Sequence, residues 1–428
     1  MPPKGAVRVE EMINYFHYDY PEPAKGDIAI HTELGQSPWR DSASILKIGI
    51  KAKELATAPP PSNLIFLVDV SGSMQDDNKL PLLRQALHIL TDELAANDRI
   101  TIVTYAGSDR VALPPTNGDQ KTVIHQAIDG LVASGSTNAS GGIVTAYRLA
   151  EQNKIEGGNN RIILASDGDF NVGVTSRDEL EKLIAQKRQS GVYLSVLGFG
   201  TGNYHDDNME LLASKGNGNY NYIDSLLEAK KVLVKQRIAN LFTLANDAKI
   251  QVEFNPALVG AYRLIGYDNR RLASEDFNDD KKDAGEIGVG HTVTALYEIL
   301  PPNAAGLPKV DKLKYQNQVT TDGNELATIK LRYKPQGAKD SILIEQLVTN
   351  QPLPLDKTSD DFRFAAAVAG FAMLLTDSEH KGALDYPLVT KLATASRGKD
   401  ADGYRGEFLR LVEIAATLSK YPKLPRAE

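Results

Sequence analysis

Asn63-Leu-Ile-Phe-Leu-Val-Asp69-Val-Ser71-Gly-Ser73-Met74 opens on an apolar run and closes on a carboxylate and hydroxyls. Leu64 to Val70 does not alternate apolar with polar, as a strand with one wet face would. Unbroken apolar strands of this length are buried on both faces, which places them in parallel sheets covered by helices. Lys79 to Leu94 reads as the first such helix, with Leu82, Leu83, Ala86, Leu87, Leu90 and Leu94 on one face.

The same rhythm continues to about Phe242. Arg99 to Tyr105, Arg161 to Ser166, Tyr193 to Phe199 and Tyr220 to Ile223 supply further strands. Val123 to Leu131, Ser140 to Glu151, Ser176 to Ser190, Met209 to Lys215 and Leu226 to Phe242 supply helices. Val111-Ala-Leu-Pro114 fits an edge strand, where a proline is tolerated. The segment is an α/β domain with a doubly wound, Rossmann-like sheet.

Either side of it the pattern changes. A short amphipathic helix over residues 7–17 precedes two strands, Asp27 to Leu34 and Ser44 to Lys51, and a stiff Ala56 to Pro61 linker. Beyond the α/β segment, Ile250 to Phe254, Ala261 to Ile265, His291 to Leu300, Ala327 to Tyr333 and Ser341 to Leu347 read as antiparallel strands. From Asp360 the chain returns to helix. The amino-terminal strands cannot bury a core alone. They are therefore expected to join the later strands in one β-sandwich-like domain, with the α/β domain inserted into it. The expected division is 1–61, 62–242, 243–350 and a helical segment over 351–428.

Composition narrows the function. The chain has 428 residues, 42% hydrophobic and 24% charged, with a net charge of −7 and no long basic run. Nucleic acid as a partner needs clustered Lys and Arg, and is set aside. No apolar run reaches the roughly 18–20 residues that span a bilayer. Phe364 to Leu375 reads as a buried helix. Zero cysteines exclude disulfides, thiolate metal sites and thiol nucleophiles.

Three pieces carry chemistry: Asp69-x-Ser71-x-Ser73 after the first strand, Thr137 in the Gly135-Ser-Thr loop, and Asp167-Gly-Asp169 after the strand Arg161 to Ser166. In an open α/β sheet, ligands bind beyond the carboxyl ends of strands where the strand order reverses. If the two strands are neighbours there, the three loops converge. Asp69, Ser71, Ser73, Thr137 and Asp167 form an all-oxygen, hard-ligand set. It suits Mg²⁺, with Mn²⁺ or Ca²⁺ as alternatives, and not a zinc site, which wants His or Cys. Two carboxylates only neutralise a divalent ion, and neutral hydroxyls complete the protein's share. The ion would remain a good Lewis acid, and a Glu or Asp of another molecule could replace its water. Asn138 and Asp169 stand as rim residues that could touch that ligand.

These motifs resemble the metal-ion-dependent adhesion site of von Willebrand factor A domains, over residues 63 to about 240. The resemblance implies metal contacts from the first motif and Thr137, a water-mediated role for Asp167, and protein binding or adhesion as the function. A narrower likeness covers nearly the whole chain: Val9-Glu-Glu-Met-Ile-Asn-Tyr-Phe16, Ser166-Asp-Gly-Asp-Phe-Asn-Val-Gly173 and Asp283-Ala-Gly-Glu-Ile-Gly288 are similar to a group of bacterial envelope proteins. Members combine a lipoprotein signal, an A domain and a carboxy-terminal domain of unknown role. That implies an extracytoplasmic, lipid-anchored protein. This sequence starts close to the Val9 helix without a signal or lipid-bearing Cys, so a trimmed start is expected.

Asp and Ser at these positions could merely cap helices and shape turns. Asp167, Asp169 and Asn171 have the spacing of an EF-hand's first ligands, but Val172 stands where that loop needs Gly and Asp178 where it needs Glu. An aspartyl-nucleophile phosphatase wants an acid where Ser71 stands. Ser396 and Lys399 have serine–lysine spacing without supporting motifs. The seven histidines are scattered, and His17 fits an aromatic patch with Tyr15, Phe16, Tyr18 and Tyr20. The reading is therefore a non-enzymatic binding protein, whose partner presents Asp or Glu. An adaptor for an ATPase or chelatase machine is the alternative, and a metal-dependent hydrolase a weaker one, since no base or nucleophile is positioned.

Overall fold

The computed structural model describes residues 2–55, 59–135, 140–168, 177–200, 206–236, 242–267, 277, 285–304, 307, 323–338 and 340–420. Of residues 140, 177, 178, 206 and 207 it describes the backbone alone. In chain order the first elements are α1 (Val9–Asn14), β1 (Ile28–Gln36), β2 (Ser44–Ala52), β3 (Ser62–Asp69), α2 (Leu80–Glu93), β4 (Arg99–Tyr105) and β5 (Asp109–Asn117). Then come α3 (Lys121–Asp129), α4 (Ser140–Gln152), β6 (Asn159–Ser166), α5 (Arg177–Lys187), β7 (Val192–Phe199), α6 (Asp206–Lys215), β8 (Tyr220–Ile223) and α7 (Leu226–Lys230). The remainder is β9 (Thr243–Phe254), β10 (Ala261–Leu264), β11 (Gly285–Gly288), β12 (Thr292–Leu300), β13 (Glu325–Pro335) and β14 (Ile342–Thr349), followed by α8 (Asp360–Thr376), α9 (Tyr386–Ala395) and α10 (Tyr404–Lys420). The chain divides into two compact units, Met1–Glu54 with Leu244–Glu428, and Leu55–Thr243.

In the Leu55–Thr243 unit a six-stranded sheet runs in the order β5-β4-β3-β6-β7-β8. Every residue of β3 is buried, and the period of two divides it between two cores. Leu64, Phe66 and Val68 pack with α2 and α3 residues such as Leu83, Leu87 and Ile124. Ile65 and Leu67 pack on the other face with Ile143, Tyr147 and Ile184 of α4 and α5. β3 pairs in parallel with both β4 and β6, so the strand order reverses at β3–β6. β5 is antiparallel to β4 at the sheet edge, and its register shifts near Pro114 and Pro115, which have no N–H to give a ladder.

One helix differs from the sequence reading. Among the described residues, the Leu226 to Phe242 stretch is α7 followed by a π turn over Lys231–Lys235. Lys231, Val232 and Leu233 are buried in succession there, which a regular helix with one inward stripe does not do. Residues 237–241 lie outside the described residues.

The other unit contains two four-stranded antiparallel sheets, β1-β2-β12-β10 and β11-β9-β13-β14. β2 pairs along its length with β12, from Lys51↔Thr292 to Ser44↔Ile299, so strands from both ends of the sequence share one sheet. The two sheets share their cores: Leu34, Leu46 and Ile48 pack with Leu326 and Ile329, and Ile50 and Ala52 with Leu331 and Tyr333. Helices cover the opposite face of the first sheet. Ile45 and Leu296 meet Ile13 of α1, Phe16 just beyond it, and Phe364 and Phe408 of α8 and α10. Gly49 is required by close approach, because a Cβ there would lie 2.2 Å from the Tyr20 ring. α8 is buried from Phe364 to Met373, and no helix among the described residues is long and apolar enough to cross a membrane. His17 is exposed and faces Asp19 at 3.5 Å. Its expected place in the aromatic patch goes instead to His31, stacked on Tyr20 at 5.6 Å.

Candidate metal centre

The site is built from the carboxyl ends of β3 and β6. Asp69, the last residue of β3, is fully buried, and Ser71 is 2% exposed. The chain turns so that the Ser71 N–H donates to Asp69 Oδ1 at 2.9 Å, and Ser73 follows in a 3-10 turn over Gly72–Gln75. The neighbouring loop is tied to this turn through backbone: Ser134 N donates to Val70 O at 2.7 Å and Gly72 N to Gly135 O at 3.0 Å. Gly135 has φ +86°, a left-handed conformation that favours glycine. These bonds lead the chain to the site immediately before Thr137. Thr137 itself, with the rim residues Asn138 and Asp169, lies outside the described residues.

Asp167 follows β6 directly and is 8% exposed. Gly168, at φ +99°, turns the chain away, and its N–H donates to Ser166 Oγ at 3.3 Å. Ser166 Oγ in turn donates to Asp69 Oδ2 at 3.3 Å, joining the two strand ends. The structure thus brings Asp69, Ser71, Ser73 and Asp167 to the topological switch point.

Burial pushes the Asp69 carboxyl above its ordinary value. Hydrogen bonds from Ser71 and Tyr105 act against that, while the nearby Asp167 adds to it. Burial also raises the Tyr105 hydroxyl well above its ordinary value, with the Asp69 charge contributing. The donors to Asp69 are neutral dipoles, and the carboxyl is short of positive charge.

Three participants were not legible beforehand. Tyr105 and Ser166 end the strands on either side of β3, and only strand order makes them neighbours of Asp69. Lys79, just before α2, donates from Nζ to Ser73 O at 2.8 Å and to Asp167 Oδ2 at 3.1 Å. Its stem fills the space over Gly200, where a Cβ would lie 2.4 Å from Lys79 Cε. No spacing rule marks a lysine six residues after a serine as a carboxylate partner. It braces Asp167, and among the described residues no cation pairs with Asp69.

The residues fit a hard divalent ion. Octahedral coordination at Mg²⁺ distances sets adjacent oxygens about 2.9 Å apart, and Ser71 Oγ and Ser73 Oγ stand 3.0 Å apart. Among the described residues no three His, Cys, Asp or Glu side chains gather as a metal cluster. Ser396 is no nucleophile: it is fully buried, and its Oγ donates to Leu392 O at 2.7 Å.

Residues 63–236 match the family described as von Willebrand factor type A domain. Residues 239–418 match the C-terminal family of the uncharacterized protein YfbK, and residues 1–47 a family described as von Willebrand factor. The uncharacterized protein YfbK of Escherichia coli K12 is 44% identical over 433 residues, covering 97% of this chain and 74% of that protein. Human inter-alpha-trypsin inhibitor heavy chain H4 is 29% identical over 148 residues, 33% of this chain and 16% of that protein. A solved von Willebrand factor type A structure from Catenulispora acidiphila covers 89% of each chain at 15% identity, with a TM-score of 0.44.

Proposed function

The chain belongs to the YfbK family of von Willebrand factor A domain proteins, and from that premise we propose that it is a metal-dependent binding protein of the bacterial envelope. The domain type is an interaction module. The finer reading is that Asp69, Ser71, Ser73, Thr137 and Asp167 hold Mg²⁺, or Mn²⁺ or Ca²⁺ in its place, for an acidic side chain of a partner protein. The observation that carries it is the 3.0 Å separation of the Ser71 and Ser73 hydroxyl oxygens beside a buried carboxylate whose donors are neutral.

Each residue has a distinct task in this reading. Asp69 supplies the negative charge at the base of the site, oriented by the Ser71 N–H and Ser166. Ser71 and Ser73 present lone pairs without adding charge. Asp167, braced by Lys79, completes neutrality from the facing strand. A divalent ion held this way supplies Lewis acidity toward a partner carboxylate in place of water. No general base or nucleophile is needed, and binding without catalysis is the proposed outcome. Envelope placement rests on the likeness of the Val9–Phe16, Ser166–Gly173 and Asp283–Gly288 motifs to envelope proteins. Immunoblots of envelope and cytoplasmic fractions test that part.

A pull-down from envelope extract tests the rest, using wild type and Asp69→Ala, each with Mg²⁺ and with EDTA. Capture by wild type alone, reversed by EDTA, is expected. Equal capture in all four conditions would remove the metal site from the binding surface.

A further inference from the structure

Two of the chain's seven histidines meet on the outer side of α2 and α3. His88 of α2 and His125 of α3 have their Nδ1 atoms 2.7 Å apart, with ring centroids at 4.9 Å and planes at 29°. Each ring's other nitrogen faces a carboxylate of the opposite helix. His88 Nε2 lies 3.2 Å from Asp129 Oδ1, and His125 Nε2 lies 3.2 Å from Asp92 Oδ1. On each helix the aspartate follows the histidine by four positions, which puts the two on one face. Packing the helices then crosses the partners over. Arg84, one turn before His88, donates to the same Asp129 oxygen at 3.2 Å.

Hydrogen-bond accounting exposes a gap in this arrangement. An ionised carboxylate only accepts, so each Nε2 must carry the ring's proton. A neutral imidazole has one N–H, which leaves both Nδ1 atoms as bare lone pairs. Two acceptors then face each other at hydrogen-bond distance, and a positive charge between them is what the geometry lacks. An extra proton would serve. So would a metal ion, and the tautomer these contacts call for, Nε2–H on a carboxylate with Nδ1 bare, is the one metal-bound histidine adopts.

We propose that His88 and His125 form a site for a borderline transition-metal ion, Zn²⁺, Ni²⁺ or Cu²⁺, bound through the two Nδ1 atoms. Asp129 and Asp92 hold the rings, and water completes the coordination sphere. Zn–N bonds of about 2.0–2.1 Å in a tetrahedral sphere set the nitrogens about 3.3 Å apart, so the rings must part by roughly 0.6 Å. Both side chains are about one-third exposed, 31% and 29%, and have room to turn. Among the described residues no third His, Cys, Asp or Glu completes a cluster here, so the site is open on its outer side. Nitrogen donors separate its preference from that of the oxygen set around Asp69. Bound metal would clamp α2 to α3.

The test is a calorimetric Zn²⁺ titration of the full chain in excess Mg²⁺, which does not compete for imidazole. Wild type is expected to bind one Zn²⁺ that His88→Gln and His125→Gln each weaken at least tenfold. Asp92→Asn with Asp129→Asn should weaken it about 10–100-fold with both histidines intact, while His380→Gln leaves it unchanged. The Cu²⁺ form should show two imidazole nitrogens by electron paramagnetic resonance. Far-UV circular dichroism without metal shows that each variant folds, and either histidine variant suffices if the other does not. Absence of saturable Zn²⁺ binding by wild type would mean a proton alone fills the gap. Unchanged affinity in folded histidine variants would place the ion elsewhere. Either result overturns the proposal.

Discussion

Two buried carboxylates, Glu298 of the sandwich unit and Asp69 of the α/β unit, are treated in opposite ways. In the sandwich unit, Glu298, 4% exposed, accepts from Trp39 Nε1 at 2.7 Å and from Arg263 Nη2 at 2.8 Å. Lys47 meets Glu33 at 3.1 Å, and Lys51 meets Glu22 at 2.9 Å and Glu54 at 3.2 Å. Each of these buried ions has its opposite supplied from within the unit. At the carboxyl end of the central strand β3, Asp69 is more deeply buried than any of these, and its donors among the described residues are neutral. A buried ion that lacks a counter-charge costs stability. Its persistence at a strand end is explained when the opposite charge comes from outside the chain.

The comparison breaks most visibly on Asp69. Asp69→Ala should abolish Mg²⁺ binding in a calorimetric titration, a loss of roughly 1,000-fold or about 4 kcal/mol. Glu298→Ala should leave that binding untouched. Next in size, Glu298→Ala should destabilise the sandwich unit by about 3 kcal/mol, because Arg263 and Trp39 lose a buried partner. Trp39 is the sole tryptophan, so urea unfolding followed by its fluorescence reads the effect. A shift under 1 kcal/mol would mean that the internal pair is not structural.

Lys231 sharpens the contrast from the basic side. Burial lowers its ammonium from an ordinary 10.5 to about 8, against the pull of Glu228 and Asp224. Between those values the unfolded chain holds the proton and the folded chain does not, so stability rises with pH from about 8 to 10.5. Below pH 8 the folded chain carries the full burial penalty. Lys231→Met should remove this rise, gaining about 2 kcal/mol at neutral pH relative to wild type. Urea titrations at several pH values, followed by far-UV circular dichroism, would show it. Parallel pH profiles for the two proteins would refute the prediction. Smallest is Ser73→Ala, expected to weaken Mg²⁺ about tenfold, or 1.4 kcal/mol. A neutral ligand is lost there, and Asp69 keeps its charge. If Ser73→Ala matched Asp69→Ala, the division between charge-bearing and geometric ligands would fail.

Much of the α/β unit was readable because its signals are local. An apolar run without alternation identified β3 as doubly buried, and a proline put β5 on the edge. The Asp69-x-Ser71-x-Ser73 spacing lies within one turn of chain, so the sequence alone fixes its donors. Strand order was not readable, since it depends on which apolar faces meet, and with it went Tyr105, Ser166 and Lys79 as neighbours of the two carboxylates. Of the helix expected over Leu226 to Phe242, the described part is α7 and then a π turn, where three successive side chains turn inward at Lys231. β11 was read as a motif and not as a strand, its four residues being too few to show a period.

Sequence by itself determined the class of fold, the place of the α/β segment between two β-rich stretches, and the hard-oxygen character of the donor set. These follow from periodicity and from chemistry carried by adjacent residues. Tertiary structure alone decided the pairings across long separations: β2 with β12, Trp39 and Arg263 on Glu298, and His88 against His125. Histidines 37 residues apart look scattered along the chain. Only the packing of α2 on α3, set by leucine and isoleucine faces that carry no record of their partner, turns their ring nitrogens toward one another.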